Sequence, residues 1–126
     1  MVYTTHKKNL AKLPENSIKL IVMRVPSGIN FISNTNIYWK PELSPNKDLM
    51  YKFKFEKKIS FDDFEKEFKK QISKNDKANK LLKKIANASN KQDIFLVCTE
   101  IDRTMCHRSI LGEILNEKYN VEVNEW

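Results

Sequence analysis

Asp93–Lys118, DIFLVCTEIDRTMCHRSILGEILNEK, decides the fold. Its first residues, Ile94–Cys98, form a continuous apolar run, the pattern of a strand buried on both faces of a parallel sheet. A short polar loop follows. From about Met105 to Lys118 the apolar residues Ile110, Leu111, Ile114 and Leu115 recur at helical spacing. Gly112 lies inside that pattern at a cost of about 1 kcal/mol relative to Ala, which close approach of the helix backbone to the sheet would explain. The loop and helix start also hold Cys98, Glu100, Asp102, Arg103, Cys106, His107 and Arg108, the densest gathering of reactive side chains in the chain.

Working outward, Asp76–Ala88 predicts a helix with Ala78, Leu81, Leu82, Ile85 and Ala86 inward and Lys77, Lys80, Lys83 and Lys84 in water. Ser60–Ser73 predicts another, with Ser60 as cap and Asp63 reaching back to it. Phe61, Phe64, Phe68 and Ile72 line one face as core packing. Tyr51–Phe55, YKFKF, alternates aromatic and lysine, the period of a half-buried edge strand. Residues 29–50 read as a long irregular segment anchored by aromatic and aliphatic side chains. Val2–Thr5 and Ser17–Val25 predict two strands, with Lys7–Asn16 as one or two helical turns stopped by Pro14. Val121–Val123 adds a last strand. Helices between strands give an α/β fold, a three-layer sandwich with a small, mainly parallel sheet.

The chain has 126 residues, 40% hydrophobic and 31% charged, which fits a single domain spanning 1–126. No apolar run approaches the roughly 20 residues that cross a bilayer, so no membrane association is expected. The N-terminus lacks the apolar core of a signal peptide, and two free thiols suit a reducing compartment; both point to the cytoplasm. Two thiols with few histidines are not the pattern of a closed zinc site, so no metal is expected. Walker, dinucleotide and HExxH motifs are absent, so no cofactor is expected either. The formal charge of +7 favours anionic partners: a small anion, or nucleic acid through the lysine-rich helices.

Ligands of parallel sheets bind beyond the carboxyl ends of the strands. That edge is expected to gather His6, Arg24 and Cys98–Glu100 with the start of the last helix. With Thr104 or Asp102 as its cap, Cys106 falls in the first turn, where the helix dipole, His107 and Arg108 would lower its pKa. Two readings share this geometry. Cys106 is a nucleophile, with His107 as acid or base and Arg108 as anion clamp; or the helix start binds an anion and the thiol is incidental. Arg108 pairing with Glu100 or Asp102 would pin the loop as ordinary architecture. Cys98 reads as the end of a buried strand. A phosphatase-type loop is excluded, because only four residues separate Cys98 from Arg103 and no glycine follows the cysteine.

Phe95-Leu96-Val97-Cys98-Thr99-Glu100, followed by Cys106-His107-Arg108-Ser109 opening a helix, resembles the YeaO-like family, domain of unknown function 488. Upstream, Arg24, Pro26 and Gly28 resemble that family's Arg-Leu-Trp-Pro-Arg-Gly turn, and Trp39 with Leu43-Ser44-Pro45 its Trp…Leu-Ala-Pro segment. Met23 and Ser27 depart from the family's Asp and Arg, and its Trp before Pro26 is missing. The resemblance spans roughly residues 18–118 and implies a small three-layer α/β domain, without supplying a reaction. The candidate catalytic residues are therefore Cys106, His107 and Arg108. The candidate ligand-binding residues are Arg24, His6, Glu100, Arg103 and Trp39, and the expected ligand is a small phosphate- or nucleotide-like anion.

Overall fold

The computed structural model describes residues 1–32, 36–100 and 102–126. Among these residues, five strands form one sheet: β1 (Val2–His6), β2 (Ile18–Ile21), β3 (Ile37–Trp39), β4 (Ile94–Cys98) and β5 (Val123–Glu125). Their order is β3-β2-β4-β1-β5, and every neighbouring pair is parallel. The all-apolar run therefore occupies the centre, and all five β4 residues are buried. The register sets His6 beside Cys98, Thr4 beside both Leu96 and Glu125, and Leu20 beside Leu96.

Four α-helices are described: α1 (Lys47–Met50), α2 (Phe61–Ser73), α3 (Asp76–Ala88) and α4 (His107–Tyr119). The last three pack on one another, over the face that carries Thr4, Leu96 and Val123. There, a Cβ added at Gly112 would meet Val123 Cγ1 at 3.1 Å, which is the close approach that the glycine allows. The Ser60 hydroxyl accepts from the Asp63 N–H and Asn75 Oδ1 from the Ala78 N–H, each satisfying a first-turn donor. α4 ends on Asn120 in the left-handed region (φ 57), a conformation asparagine tolerates. The opposite face carries stacked Tyr3 and Phe95, with Trp126 edge-on to Phe95. Its cover is thinner. It consists of a 3-10 turn over Lys7–Lys12 and the segment to Glu15, whose carbonyl accepts from the buried Lys19 ammonium.

Three expectations change. YKFKF is not a strand: Asn46 caps α1, and a π-helical turn over Tyr51–Phe55 extends it. Tyr51 and Phe55, 46% and 68% exposed, meet each other at 5.0 Å across one turn, while Phe53 packs on Phe61 and Phe64. An alternating run suits a strand only if its apolar set is buried, and here the set splits between solvent and core. Residues 29–50 are not wholly irregular, since they hold β3 and a 3-10 turn at Pro41–Leu43. Three residues with exposed aromatics on a sheet edge carry too weak a period to be found from sequence. The last strand is shifted to Val123–Glu125. No helix of the described residues is long and apolar enough to cross a membrane.

Candidate functional site

β4 is apolar on both sides, so its last side chain, Cys98, is carried into the core under α4. The loop that follows returns through a 3-10 turn, Arg103–Met105. Asp102 starts that turn by accepting from the Thr104 N–H (2.9 Å) and hydroxyl (2.6 Å). These bonds, side chain first, hold the Asp102 carboxyl below its ordinary pKa. The turn delays α4, and Cys106 becomes its N-cap instead of a first-turn residue. Cys106 has extended backbone (φ −127, ψ 142), which turns its side chain inward. Cys106, His107 and Arg108 are all buried.

The atoms of Cys98, Cys106 and His107 that could bind a metal lie within 4.8 Å of one another. Cys98 Sγ is 3.6 Å from His107 Nδ1 and 3.8 Å from Nε2. His107 Nε2 is 2.6 Å from the Val22 carbonyl oxygen. A carbonyl only accepts, so Nε2 carries the hydrogen and donates it, which leaves the lone pair of the neutral tautomer on Nδ1, the ring nitrogen nearer the Cys98 sulfur. Phe68 packs edge-on against the ring at 5.6 Å. The two thiols are not equivalent. Their mutual hydrogen bond, followed by burial, pushes Cys106 up to about 12. The same bond, aided by the Thr99 N–H, Arg108 and Lys54, moves Cys98 below its ordinary value despite burial. The expected lowering at Cys106 is thereby reversed, because the hydrogen bond between the two buried thiols eases loss of the proton from Cys98 and opposes it at Cys106.

Arg108 is completely enclosed. Its guanidinium donates to the Glu125 carboxylate (Nη2–Oε2 2.8 Å, Nε–Oε1 3.3 Å) and to the Glu100 carbonyl. The hydrogen bond to Glu125 is the main cause raising the Arg108 pKa, against burial. The Thr4 hydroxyl donates to the same carboxylate. Arg108 thus reaches neither Asp102 nor the Glu100 carboxylate as its ionic partner; the Glu100 side chain pairs with Lys54. Glu125 was missed in the sequence. Its only signal was the two-residue period from Val123, which places Glu125 on the helix-covered face.

His6 stands at the rim, with Nδ1 accepting from the Lys8 N–H (2.9 Å) and the ring bonded to the Thr99 backbone. Burial, then Arg108 and two lysines, lower its pKa. Arg103 is exposed and borders a groove shared with Thr4, Ser109, Gly112 and Glu125. Arg24 and Trp39 lie elsewhere, in a shallow depression with Pro41, Gln71 and Asn75. The expected convergence of Arg24 on Cys106 is not formed, because the chain turns outward after Met23 and leaves Arg24 exposed. Trp39 reaches this region only indirectly, donating from Nε1 to the Met23 carbonyl (2.9 Å), one residue from the carbonyl that His107 binds.

A family model described as "Active DUF488-N3 subclade" matches residues 2–119. No curated protein and no solved structure matches the chain.

Proposed function

The chain belongs to the DUF488 family, and from that premise we propose that it binds a small phosphate- or nucleotide-like anion at the carboxyl edge of its sheet and acts on it through the thiols gathered there. One observation carries the reading: Cys98, Cys106, His107 and Arg108 are buried together where β4 ends and α4 begins. Holding polar and ionisable groups in a core costs stability, and such clusters concentrate at functional sites. The position is also where parallel sheets bind ligands. His6 stands at its rim, Arg103 lines a neighbouring groove with Ser109 and Glu125, and the net charge of +7 draws anions. The "active" wording of the matching family model supports a chemical role.

In this reading Cys106, His107 and Arg108 stay within the chemical site, and the nucleophile is Cys98, whose proton the hydrogen bond with Cys106 makes easier to lose. His107 is oriented by the Val22 carbonyl, so its Nδ1 is the nitrogen that exchanges a proton with the thiols. Arg108, ion-paired with Glu125, fixes the start of α4 beside them. Titration of the metal-free, reduced chain with inorganic phosphate and then a nucleoside monophosphate, followed by backbone amide NMR, tests the proposal. Saturable shifts are expected at Thr99, Glu100 and Cys106–Ser109. Shifts confined to the lysine face of α3, or none with either anion, would overturn it.

A further inference from the structure

We propose that Cys98, Cys106 and His107 form a three-ligand site for a thiophilic d10 cation, with Zn2+ as the fitting ion and one coordination position left open. The three donors are of the types that hold zinc in Cys2His sites. They come from two elements brought together by the fold: the end of β4, and the N-cap and first residue of α4. Their potential ligand atoms fall within 4.8 Å of one another, and all three residues are buried. A sulfur at about 2.3 Å and a nitrogen at about 2.0 Å from a tetrahedral ion are about 3.5 Å apart. Cys98 Sγ and His107 Nδ1 are separated by 3.6 Å. Cys98 Sγ is also 3.8 Å from Nε2 and so lies over the ring. The ion therefore belongs in the ring plane at Nδ1, off the direct Cys98–His107 line, and loading turns the imidazole so that Nδ1 faces both sulfurs.

The surroundings are those of a metal-binding histidine. Such a ring almost always donates its other N–H to a carbonyl or carboxylate, which fixes the tautomer and aims the lone pair at the metal. His107 Nε2 donates to the Val22 carbonyl at 2.6 Å. Charge closes as well. Two thiolates neutralise a divalent ion, and Arg108 is neutralised by Glu125, so the metal-loaded core holds no net charge. No fourth Cys, His, Asp or Glu joins the group among the described residues. The fourth position is thus left for water or an anion. The sequence expectation of no metal rested on the small number of thiols and histidines and took no account of how the fold brings three of them together.

The inference shares its site with the proposed function but does not depend on an anionic ligand. The test uses the reduced, metal-free chain and Co2+ alone as a spectroscopic substitute for Zn2+. One ion per chain is expected, with thiolate-to-cobalt charge-transfer absorption in the near ultraviolet and visible bands of four-coordinate intensity. Zn2+ should displace the cobalt and protect both thiols from a small disulfide reagent. Cys98→Ser and Cys106→Ser should each weaken binding by more than the roughly 10–100-fold that loss of an outer-shell partner costs. Both sites are in the core, so circular dichroism must confirm folding. If either variant fails to fold, the wild-type spectrum and thiol protection decide alone. No charge-transfer band at stoichiometric cobalt would overturn the proposal, as would bound metal that leaves both thiols reactive. A cobalt spectrum without phosphate-induced shifts would remove only the anion reading; the reverse result would remove only the metal.

Discussion

The enclosed Arg108 guanidinium lies 2.8 Å from the Glu125 carboxylate, and this ion pair fastens the start of α4 to β5 across the top of β1. The pair is asymmetric: Arg108 is fully buried, whereas the Glu125 side chain keeps 22% of its exposure. Breaking a buried pair leaves the remaining charge uncompensated, at about 3–5 kcal/mol. Glu125→Gln should therefore destabilise the chain by an amount in that range, since it strands the cation. Arg108→Met leaves a carboxylate that can reach water and should cost less. The double variant should recover much of the Glu125→Gln loss. Urea denaturation of the four proteins measures the cycle, and strict additivity would show that the pair is not coupled.

Gly112 tests how tightly α4 sits on the sheet. A methyl group there meets Val123 Cγ1 at 3.1 Å, on an edge strand that has room to shift. Gly112→Ala combines this contact with about 1 kcal/mol of helix propensity and should leave stability within about 1 kcal/mol of the wild type. Gly112→Val adds branches toward Val123 and Thr4 and should destabilise by about 1–3 kcal/mol, the usual range for overpacking. If valine is tolerated as well as alanine in thermal melts, the close approach is not the reason for the glycine.

Lys19 gives a pH signature. Burial on the thinly covered sheet face lowers its pKa from the ordinary 10.5, opposed by Glu15. A lysine whose folded pKa lies below its unfolded value binds its proton more tightly when unfolded. Its penalty is full below the folded pKa and disappears as pH rises to 10.5. The stability of the wild type should therefore climb relative to Lys19→Met as pH is raised from 7 toward 10. Parallel urea midpoints for the two proteins across that interval would refute the assignment.

The Ser60 hydroxyl accepts from the Asp63 N–H at 3.1 Å and starts the helix that carries Phe64, Phe68 and Ile72 into the core. Ser60→Ala should cost about 1 kcal/mol, and Ser60→Asp should restore it. Thermal melts of the two variants check this, and an unchanged midpoint for alanine would mean that the cap contributes nothing.

The elements that were legible in the sequence have strong internal periods. Ile94–Cys98 reads as buried because no polar residue interrupts it, and it proves to be the central strand. The Phe61–Ile72 stripe and the leucine and isoleucine face of α3 read as helices because each repeats over three turns. Short elements failed the same test. β3 is three residues long, and YKFKF satisfies an alternation that its surroundings do not use. Within the site, the crowding of Cys98, Cys106, His107 and Arg108 was visible as local density. The partner of Arg108 was not, because Glu125 lies 17 residues away and reaches it only through the β1–β5 pairing.

By itself, the sequence determined an α/β fold with a parallel sheet, and the strand, loop and helix that carry every thiol of the chain. Apolar period and local spacing are properties of neighbours along the chain, so they survive without coordinates. Tertiary structure decided which groups face one another. It made Cys106 a cap by placing a 3-10 turn before α4, and it moved the pKa values of the two thiols in opposite directions. It also matched Arg108 with Glu125 and set the tautomer of His107 through the Val22 carbonyl. Those outcomes depend on burial and on distances of a few ångströms between residues remote in sequence, and both arise only when the sheet and its helices close around a common core.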